Sequence, residues 1–392
     1  MKEKLVRLLE RAFRAFAVRV VSVYARVRFN AHKTLEDGVP DERAVVLCAH
    51  ASMWDFCYLI YALCPRRARI VATSIEFEKN RAYAWMLRAL GVIPKMQGAA
   101  DMACVRAMMR ACQSGDAVAM FPQGMTSHDG RPAWHVQPGT GKLVRMMGAS
   151  VYALVADGAF ISHARYIPIC RRGRVEIRLR RLFTAEEVRE MSPEDAQSRI
   201  EAALTYNDWT WQGSARVPCF RRAPVKGVTK TLYMCPDCGV IGGMEEVPPR
   251  IRCRVCGMTA ERDAYGFFHA ISGNCPARMD EWADMEIQKL REETSADDFM
   301  LCAPVTLRRP TGRGAGYADA DEGELTMTRS ALTFKGKART LAWSLKDFQY
   351  FVMNDVDFLH IYAVNGAYRF VFADPRLITR WFFAHRLLVG GI

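Results

Sequence analysis

The sequence predicts a multidomain protein that begins with an α/β domain, and three observations carry that prediction. Four short apolar runs between residues 44 and 155 alternate with stretches of helical periodicity, which is the pattern of a mainly parallel sheet flanked by helices. Two Cys-x2-Cys pairs follow in a compact segment. The C-terminal residues alternate in polarity around an Asn-Gly pair, which is typical of antiparallel strands. The 392 residues are enough for two or three domains.

Positive charge is concentrated in the N-terminal half. The chain has 55 Lys and Arg against 42 Asp and Glu, and residues 1–216 account for +11 of the net +13. This excess predicts an anionic partner such as membrane lipid, nucleic acid or an acidic carrier protein. The thirteen cysteines and the lack of a signal-peptide pattern indicate a reducing, cytosolic compartment. No apolar run reaches the roughly 18 residues of a membrane span.

Residues 1–29 have the pattern of an amphipathic helix, with apolar and basic residues recurring on different faces. We interpret the segment as a helix lying in the bilayer interface at the cytoplasmic face of the membrane, with Arg19 and Arg26 extending towards the lipid phosphates. The alternative is a helix that packs against its own domain. The apolar face would comprise Leu5, Leu9, Phe13, Phe16, Val20, Val23 and Val27, and the basic face Lys4, Arg7, Arg11 and Arg14.

Residues 30–215 are predicted to form the α/β domain. A hairpin-like segment over Arg174–Arg181 and a helix over Pro193–Leu204 would close the domain. Ligands of such sheets bind at the carboxyl ends of the strands. The predicted strands are Ala44–Cys48, Arg69–Thr73, Ala117–Phe121 and Val151–Val155, and the predicted helices between them include Met102–Cys112 and Lys142–Met147.

A histidine and an aspartate separated by four residues follow the first predicted strand. His50 would lie on the loop at the carboxyl edge of the sheet, and Asp55 in the first turn of the next helix. Asp55 could orient one ring nitrogen, leaving the other free to take a proton from a hydroxyl or an amine. The alternative is that Ser52 and Asp55 are only a capping box and that His50 is an incidental loop residue.

Other segments accompany this pair in a fixed order. Leu90–Lys95 precedes the strand that ends in the run Phe121–Ser127, which the sheet rule places at the same edge as His50. In order and spacing, these segments resemble the glycerolipid acyltransferases typified by 1-acylglycerol-3-phosphate acyltransferases. The resemblance covers about residues 30–205. The family's blocks are His-x4-Asp, a Gly-led block ending in a basic residue, Phe-Pro-Glu-Gly-Thr-Arg-Ser and a final apolar strand.

The resemblance implies a direct acyl transfer. His50 would deprotonate the acceptor, Asp55 would orient His50, and the acceptor would attack the thioester of acyl-CoA or acyl-carrier protein. Lys95 matches the family's phosphate-holding basic residue, while Gln123 and Gly124 match its acceptor-binding Glu-Gly. Both donors are anionic and the acceptor is a membrane lipid, which suits a basic domain at an anionic membrane surface.

The sequence departs from the family pattern at two positions of the third block. The family's Glu is Gln123 here, and its Arg is Thr126. Loss of a guanidinium removes a bidentate contact to phosphate, so we expect an acceptor other than lysophosphatidic acid. The alternative function is a catalytically inactive membrane adaptor that keeps the acyltransferase fold.

Residues 231–272 contain the two Cys-x2-Cys pairs, each followed by Gly. Their spacing resembles a zinc ribbon, in which four thiolates hold a structural Zn²⁺ and leave no open position for substrate. A redox pair or unpaired core thiols are the alternatives. A nucleic-acid role through the ribbon is disfavoured, because basic and acidic residues balance between Thr229 and Arg262. The four cysteines are Cys235, Cys238, Cys253 and Cys256.

The remaining segments are a linker over 216–230, a helical connector over 273–299 and a β-rich domain over 300–392. In the last segment, two strands flank Asn365-Gly366, and Pro375 stands at the start of a terminal helix. The order of strands, hairpin and terminal helix resembles a PH or GRAM-type barrel. Such domains bind lipid head groups or proteins.

Overall fold

The computed structural model describes residues 2–40, 43–78, 80–96, 101–133, 135–167, 170–221, 225–311, 316–354, 358–363 and 365–390. The chain divides into two compact units, Met1–Cys219 and Phe220–Ile392. Each unit has its own buried apolar core.

A seven-stranded sheet in the order β1-β7-β6-β2-β5-β3-β4 forms the centre of the first unit. Strand β2 is buried along its whole length, which explains its continuous apolar sequence. The strands are β1 (Ala31–Leu35), β2 (Ala44–Cys48), β3 (Ala68–Thr73), β4 (Ile93–Lys95), β5 (Ala117–Met120), β6 (Ser150–Asp157) and β7 (Val175–Phe183).

The sheet is mixed, with one antiparallel step. Strands β6, β2, β5, β3 and β4 pair in parallel. Strand β7 runs antiparallel to β6 and parallel to β1. The carboxyl ends of the five parallel strands therefore lie at one edge of the sheet, and the loops that follow β2, β5 and β4 emerge there.

The hairpin predicted over Arg174–Arg181 is instead a single strand, β7. Its apolar residues Val175, Ile177 and Leu179 are buried, and its partner is the distant β6 rather than a neighbouring segment. Alternation of polarity predicts a half-buried strand equally well alone or in a hairpin. Strand β1 is also not predicted from the sequence. Of its five residues only Ala31 is buried, so the strand lacks the continuous apolar run that is typical of a central strand.

Nine helices surround this sheet in the described part of the first unit. Helix α5 packs against α8, and α1 packs against α2 and α3. The helices are α1 (Lys2–Arg28), α2 (Asp55–Leu63), α3 (Arg81–Leu90), α4 (Met102–Gln113), α5 (Thr140–Met147), α6 (Ala159–Ser162), α7 (Ala185–Glu190), α8 (Pro193–Ala203) and α9 (Asp208–Ala215).

Helix α1 is attached to its domain and also has an exposed apolar face. The Arg14 guanidinium donates to the carbonyl of Ala89, and Arg28 donates to the carbonyl of Cys170 at 2.8 Å. Four apolar side chains on the other side are exposed, namely Phe16, Val20, Val23 and Val27. The side chains of residues 2–11, including Leu5, Leu9, Lys4, Arg7 and Arg11, lie outside the described part. Within the described residues, no helix combines the length and the apolar character needed to span a bilayer.

The second unit begins with a four-stranded antiparallel sheet in the order β11-β10-β9-β8, followed by helix α10 (Met279–Ser295). Helix α10 buries Trp282 and Leu290. The predicted linker contains Val225 and Val228, which are also buried. The strands are β8 (Met244–Val247), β9 (Arg250–Cys253), β10 (Thr259–Arg262) and β11 (Phe268–Ser272).

The C-terminal segment is a seven-stranded antiparallel sheet in the order β15-β14-β13-β12-β18-β17-β16. Its two outer strands, β15 and β16, are joined directly by the turn Leu345–Asp347, so the sheet curls into a half-barrel in which the rings of Trp343 and Phe348 are 6.2 Å apart. Helix α11 (Ile378–Leu388) packs against β16 and β17. The strands are β12 (Met300–Pro310), β13 (Tyr317–Thr328), β14 (Ala331–Gly336), β15 (Thr340–Ser344), β16 (Phe348–Asn354), β17 (Phe358–Ala363) and β18 (Gly366–Phe372).

Candidate active site and candidate metal centre

The loop after β2 brings His50 and Asp55 into contact. The chain leaves β2 at Cys48, and Asp55 is the first residue of α2. The Nδ1 atom of His50 lies 2.8 Å from Oδ2 of Asp55. The carboxyl group is 1% exposed, whereas the imidazole is 22% exposed. The buried partner is therefore the aspartate, and the histidine is the member of the pair that a ligand can reach.

Two opposing effects act on Asp55. Burial raises the pKa of its carboxyl group, and hydrogen bonds from His50 and from backbone N–H groups lower it. One of these donors is the Ser52 N–H, 2.8 Å from Oδ2. Asp55 thus closes the turn before α2 and contacts His50 with the same oxygen atom. The reciprocal capping box does not form, because α2 starts after Trp54 without a side-chain cap and the Ser52 hydroxyl donates to the His163 carbonyl instead.

The imidazole of His50 is held so that one nitrogen stays available. A carboxylate oxygen accepts from Nδ1, which places the proton on Nδ1 and leaves Nε2 with a lone pair. The ring packs on Phe121 with centroids 4.5 Å apart. In the described part of the chain, Nε2 has no hydrogen-bond partner. A base in this state can take a proton from a hydroxyl or an amine.

The segment Phe121–Ser127 lies directly beside His50. The Oε1 atom of Gln123 accepts from the His50 backbone N–H at 2.9 Å. The N–H of Ser127 donates to the His50 carbonyl at 2.9 Å. Gln123 and Thr126 are buried, whereas Gly124 is exposed and has a positive φ of 72°. The sequence predicts that Gln123, Gly124 and Thr126 contact the acceptor, and of these three residues only Gly124 is exposed to solvent.

Lys95 lies at the same sheet edge but farther away. It is the last residue of β4, and β2 and β4 are separated by β5 and β3. Three strand spacings amount to about 14 Å. Its Nζ donates to the carbonyl of Met96 at 3.2 Å. The pKa of Asp101 is lowered mainly by the hydrogen bond from the Met96 N–H, and the charge of Lys95 lowers it further. A ligand that contacts both Lys95 and His50 must therefore be extended.

Tyr206 is a neighbour of the site that the sequence did not indicate. Its hydroxyl lies 3.4 Å from the carbonyl oxygen of His50 and 3.2 Å from that of Arg131. The ring is buried between α8 and α9. A lone tyrosine 156 residues away in sequence has no local signal that would connect it to the histidine.

The four cysteines converge on one point in the second unit. The Sγ atoms of Cys235 and Cys256 are 3.7 Å apart, and those of Cys238 and Cys253 are 3.8 Å apart. All four atoms lie within 4.8 Å of one another. A tetrahedral Zn²⁺ with Zn–S bonds of about 2.3 Å requires S···S separations of about 3.8 Å. This group could hold a metal ion, and its geometry and thiolate donors fit zinc.

The two Cys-x2-Cys turns have the same backbone geometry. Gly239 and Gly257 follow them with φ of 72° and 80°, and their N–H groups donate to the carbonyls of Cys235 and Cys253 at 2.9 and 3.0 Å. A side chain would strain this left-handed conformation, which explains the glycine after each pair.

Helix α10 holds the chain immediately before the first of these turns. The indole N–H of Trp282 donates to the carbonyl of Met234 at 2.9 Å, and a carboxylate oxygen of Glu286 accepts from the Met234 N–H at 2.8 Å. Burial raises the pKa of Glu286 well above its usual range. Both polar groups of Met234 are therefore fixed by side chains of one helix.

The first unit thus carries a His–Asp pair at the carboxyl edge of a mixed α/β sheet, supported by a second loop. Residues 26–157 match the family model described as Acyltransferase, so this segment carries an acyltransferase-family domain. The chain is also 26% identical over 108 residues to the 1-acyl-sn-glycerol-3-phosphate acyltransferase of Streptococcus pneumoniae. That similarity covers 27% of this chain and 40% of the relative's length.

A solved structure is similar as well. It is the 1-acyl-sn-glycerophosphate (LPA) acyltransferase, PlsC, from Thermotoga maritima, with a TM-score of 0.36 and 18% identity. The similarity covers 48% of this chain and 80% of that chain. His50 and the Phe121–Ser127 segment both fall inside the region that matches the Acyltransferase family model.

Proposed function

We propose that this protein transfers a fatty acyl group from a thioester donor to a membrane lipid, with His50 as the general base. The contact between His50 Nδ1 and Asp55 Oδ2 is the observation that carries the proposal. The Nε2 atom removes the proton of the acceptor hydroxyl or amine. The acceptor atom then forms a bond to the thioester carbonyl carbon, the C–S bond breaks, and the thiolate leaves and takes up the proton from the imidazolium.

We propose acyl-CoA or acyl-carrier protein as the donor. Both are thioesters on strongly anionic carriers, and residues 1–216 have a net charge of +11. Long-range attraction between a basic domain and an anionic carrier raises the rate of encounter.

We propose no nucleic-acid partner, because basic and acidic residues are balanced around the four cysteines.

The proposed acceptor is a membrane lipid other than lysophosphatidic acid. Thr126 supplies no cation where the family has arginine, and the side chain of Thr126 is buried. Lys95 is the cation that remains at the predicted phosphate position. A lipid with a non-phosphate head group, or one whose phosphate lies far from its reacting atom, suits this arrangement.

We further propose that the first unit binds peripherally at the cytoplasmic face of an anionic membrane through the exposed face of α1. Phe16, Val20, Val23 and Val27 form an apolar stripe there, and all four side chains are exposed. Helices that lie in the interface present such a stripe to lipid. These four residues belong to the apolar face that the sequence predicts for this helix.

For the second unit we propose a structural Zn²⁺ held by Cys235, Cys238, Cys253 and Cys256, and a PH-like role for the half-barrel. Zinc would cross-link two turns and leave no position for a substrate. The strand order, with the first and last strands of the barrel adjacent and a C-terminal helix packed on the sheet, supports the PH-like assignment.

The test is release of free thiol from long-chain acyl-CoA and from acyl-carrier protein in the presence of vesicles. Lysolipids, ornithine-type lipids and glycolipids serve as acceptors, and wild type is compared with His50→Ala. Acceptor-dependent release that the substitution abolishes supports acyl transfer. Release that is absent across all acceptors, or unchanged in His50→Ala, supports the inactive adaptor instead. His135→Ala, which removes an exposed histidine of the same unit, is the matched control.

A further inference from the structure

We propose that Gln123 positions His50 and does not bind the acceptor. This proposal rests on the acyl transfer proposed above and assigns a different task to a residue whose family counterpart contacts substrate. The relevant observation is that the Gln123 side chain is 3% exposed and that its Oε1 atom accepts from the backbone N–H of His50.

The geometry fixes which way the amide of Gln123 faces. An N–H donor requires an acceptor, so the atom 2.9 Å from the His50 nitrogen is the amide oxygen. The other polar backbone atom of His50, its carbonyl oxygen, accepts from Ser127 at 2.9 Å. One loop therefore holds His50 at both ends of the residue.

This support is needed because the strand ladder ends just before His50. The last backbone hydrogen bond to β6 runs from the Ala49 N–H to the Leu154 carbonyl at 2.9 Å. The next N–H along the chain belongs to His50, and the Gln123 side chain is its partner. Without that oxygen, the N–H would lie beside a buried side chain that offers no acceptor. The backbone could then rotate and move the imidazole away from Asp55 and Phe121.

A glutamate at position 123 could make the same hydrogen bond, because a carboxylate oxygen also accepts. The Glu-to-Gln departure therefore leaves the support of His50 intact. A residue with no acceptor, such as methionine, has similar length and removes only the hydrogen bond. Gln123→Glu keeps the hydrogen bond to His50 and Gln123→Met removes it, so comparing the two variants distinguishes a positioning role of Gln123 from acceptor binding.

The experiment compares wild type, Gln123→Met and Gln123→Glu in steady-state acyl transfer and in proton NMR. The NMR signal is the low-field resonance of the His50 Nδ1–H, assigned by its loss in His50→Gln and in Asp55→Asn. Gln113→Met is the matched control, because Gln113 is exposed at the C-terminal end of α4, at the edge of the sheet opposite His50. Thermal unfolding of each variant establishes that it is folded.

For Gln123→Met we expect kcat to fall by about 10- to 100-fold, an unchanged acceptor KM and a lost or broadened resonance. Gln123→Glu and Gln113→Met should keep kcat within about threefold and retain the resonance. A raised acceptor KM with unchanged kcat and an unchanged resonance would overturn the proposal. If wild type shows no turnover but the resonance still responds only in Gln123→Met, positioning stands and the proposed acyl transfer fails. An unaffected resonance in folded Gln123→Met overturns positioning in every case.

Discussion

The Oδ2 atom of Asp55 accepts two hydrogen bonds, from Nδ1 of His50 and from the Ser52 N–H, each at 2.8 Å. The second bond belongs to the turn that starts α2, so the position of the carboxylate is set by the backbone. The imidazole is then oriented by a group that cannot follow its movements. In the proposed reaction, a buried carboxylate in this position would stabilise the imidazolium that forms when His50 takes up the proton of the acceptor.

Asp55→Asn should reduce kcat of acyl transfer by about 10²- to 10⁴-fold while the protein stays folded. The asparagine oxygen can take the position of Oδ2 and accept from both Ser52 and Nδ1 of His50, so the ring keeps its tautomer. The neutral amide, however, removes the negative charge that would stabilise the imidazolium, and its NH2 group would occupy the buried position of Oδ1, where no hydrogen-bond partner lies among the described residues. Thiol release and thermal unfolding measure the two effects. A kcat within tenfold of wild type in the folded variant would contradict the role of His50 as base.

Val20→Asp should weaken sedimentation of the protein with anionic vesicles. It places a charge in the middle of the exposed stripe on α1, where an interfacial helix would bury it against lipid. Val247→Asp is the matched control, because Val20 and Val247 are both 49% exposed and Val247 lies in the second unit. We expect at least a tenfold loss of vesicle affinity for Val20→Asp only. Equal affinities for the two variants would exclude the stripe as the contact surface.

Purified protein should contain one zinc ion per chain, and Cys253→Ser should lose it. A missing thiolate leaves three ligands and removes the cross-link between two turns. Metal analysis and thermal unfolding of the second unit are the measurements. Cys302→Ser is the control, because Cys302 is exposed on β12, away from the four-cysteine group. A metal-free wild type with the same stability before and after chelation would refute the zinc assignment.

The second unit should lose stability as the pH falls from about 6.5 to about 4. Burial lowers the pKa of His385 to about 4 and that of His360 to about 4. In this interval the unfolded chain binds a proton at each histidine and the folded chain does not. Each histidine therefore lowers the free energy of unfolding as the pH falls, by up to about 1.4 kcal/mol per pH unit. The buried Glu286, whose pKa is raised, offsets part of this loss because the folded chain takes up its proton first.

His385→Gln tests this explanation, because glutamine does not titrate but can donate to the Leu345 carbonyl that lies 3.3 Å from Nε2. Urea unfolding at pH 5 and pH 7.5 should show a smaller difference for His385→Gln than for wild type. The control is His269→Gln, whose histidine is exposed in the same unit. The explanation fails if both variants keep the pH dependence of wild type.

Gly141→Ala should destabilise the first unit by about 1–3 kcal/mol. A Cβ at Gly141 would lie 2.1 Å from the Pro193 carbonyl oxygen, where α5 packs on the backbone of α8. Gly213→Ala is the opposite case, because a Cβ there meets nothing within 4 Å inside α9, and we expect a gain of about 0.5–1 kcal/mol. Urea unfolding compares the two. A Gly141→Ala variant as stable as wild type would mean that α5 and α8 can move apart without lowering the free energy of unfolding.

The predictable parts of the fold are those with a local signal. Strand β2 and the start of α4 occur where the sequence predicts them. A strand buried on both faces has a continuous apolar run, and a helix buried on one face has apolar residues at helical spacing, so both can be recognised locally. Strand β1 has polar residues and pairs with β7, about 140 residues later, so no local pattern reveals it.

The site follows the same division. The contact between His50 and Asp55 follows from their spacing and from the end of a strand. The Gln123 hydrogen bond to the His50 backbone depends on how two loops approach across the sheet edge, and the family pattern suggested an exposed contact instead. Tyr206 is farther still in sequence, and only its folded position relates it to His50.

The attachment of α1 sets a mechanical constraint on the first unit. Arg14 and Arg28 anchor points of the helix that are about 21 Å apart to carbonyl groups of the domain. With two attachments at that spacing, the helix cannot rotate relative to the domain as it could if it were attached at one point only. A surface that binds the apolar stripe therefore also fixes the orientation of the whole unit, and the sheet edge with His50 keeps one constant angle to that surface.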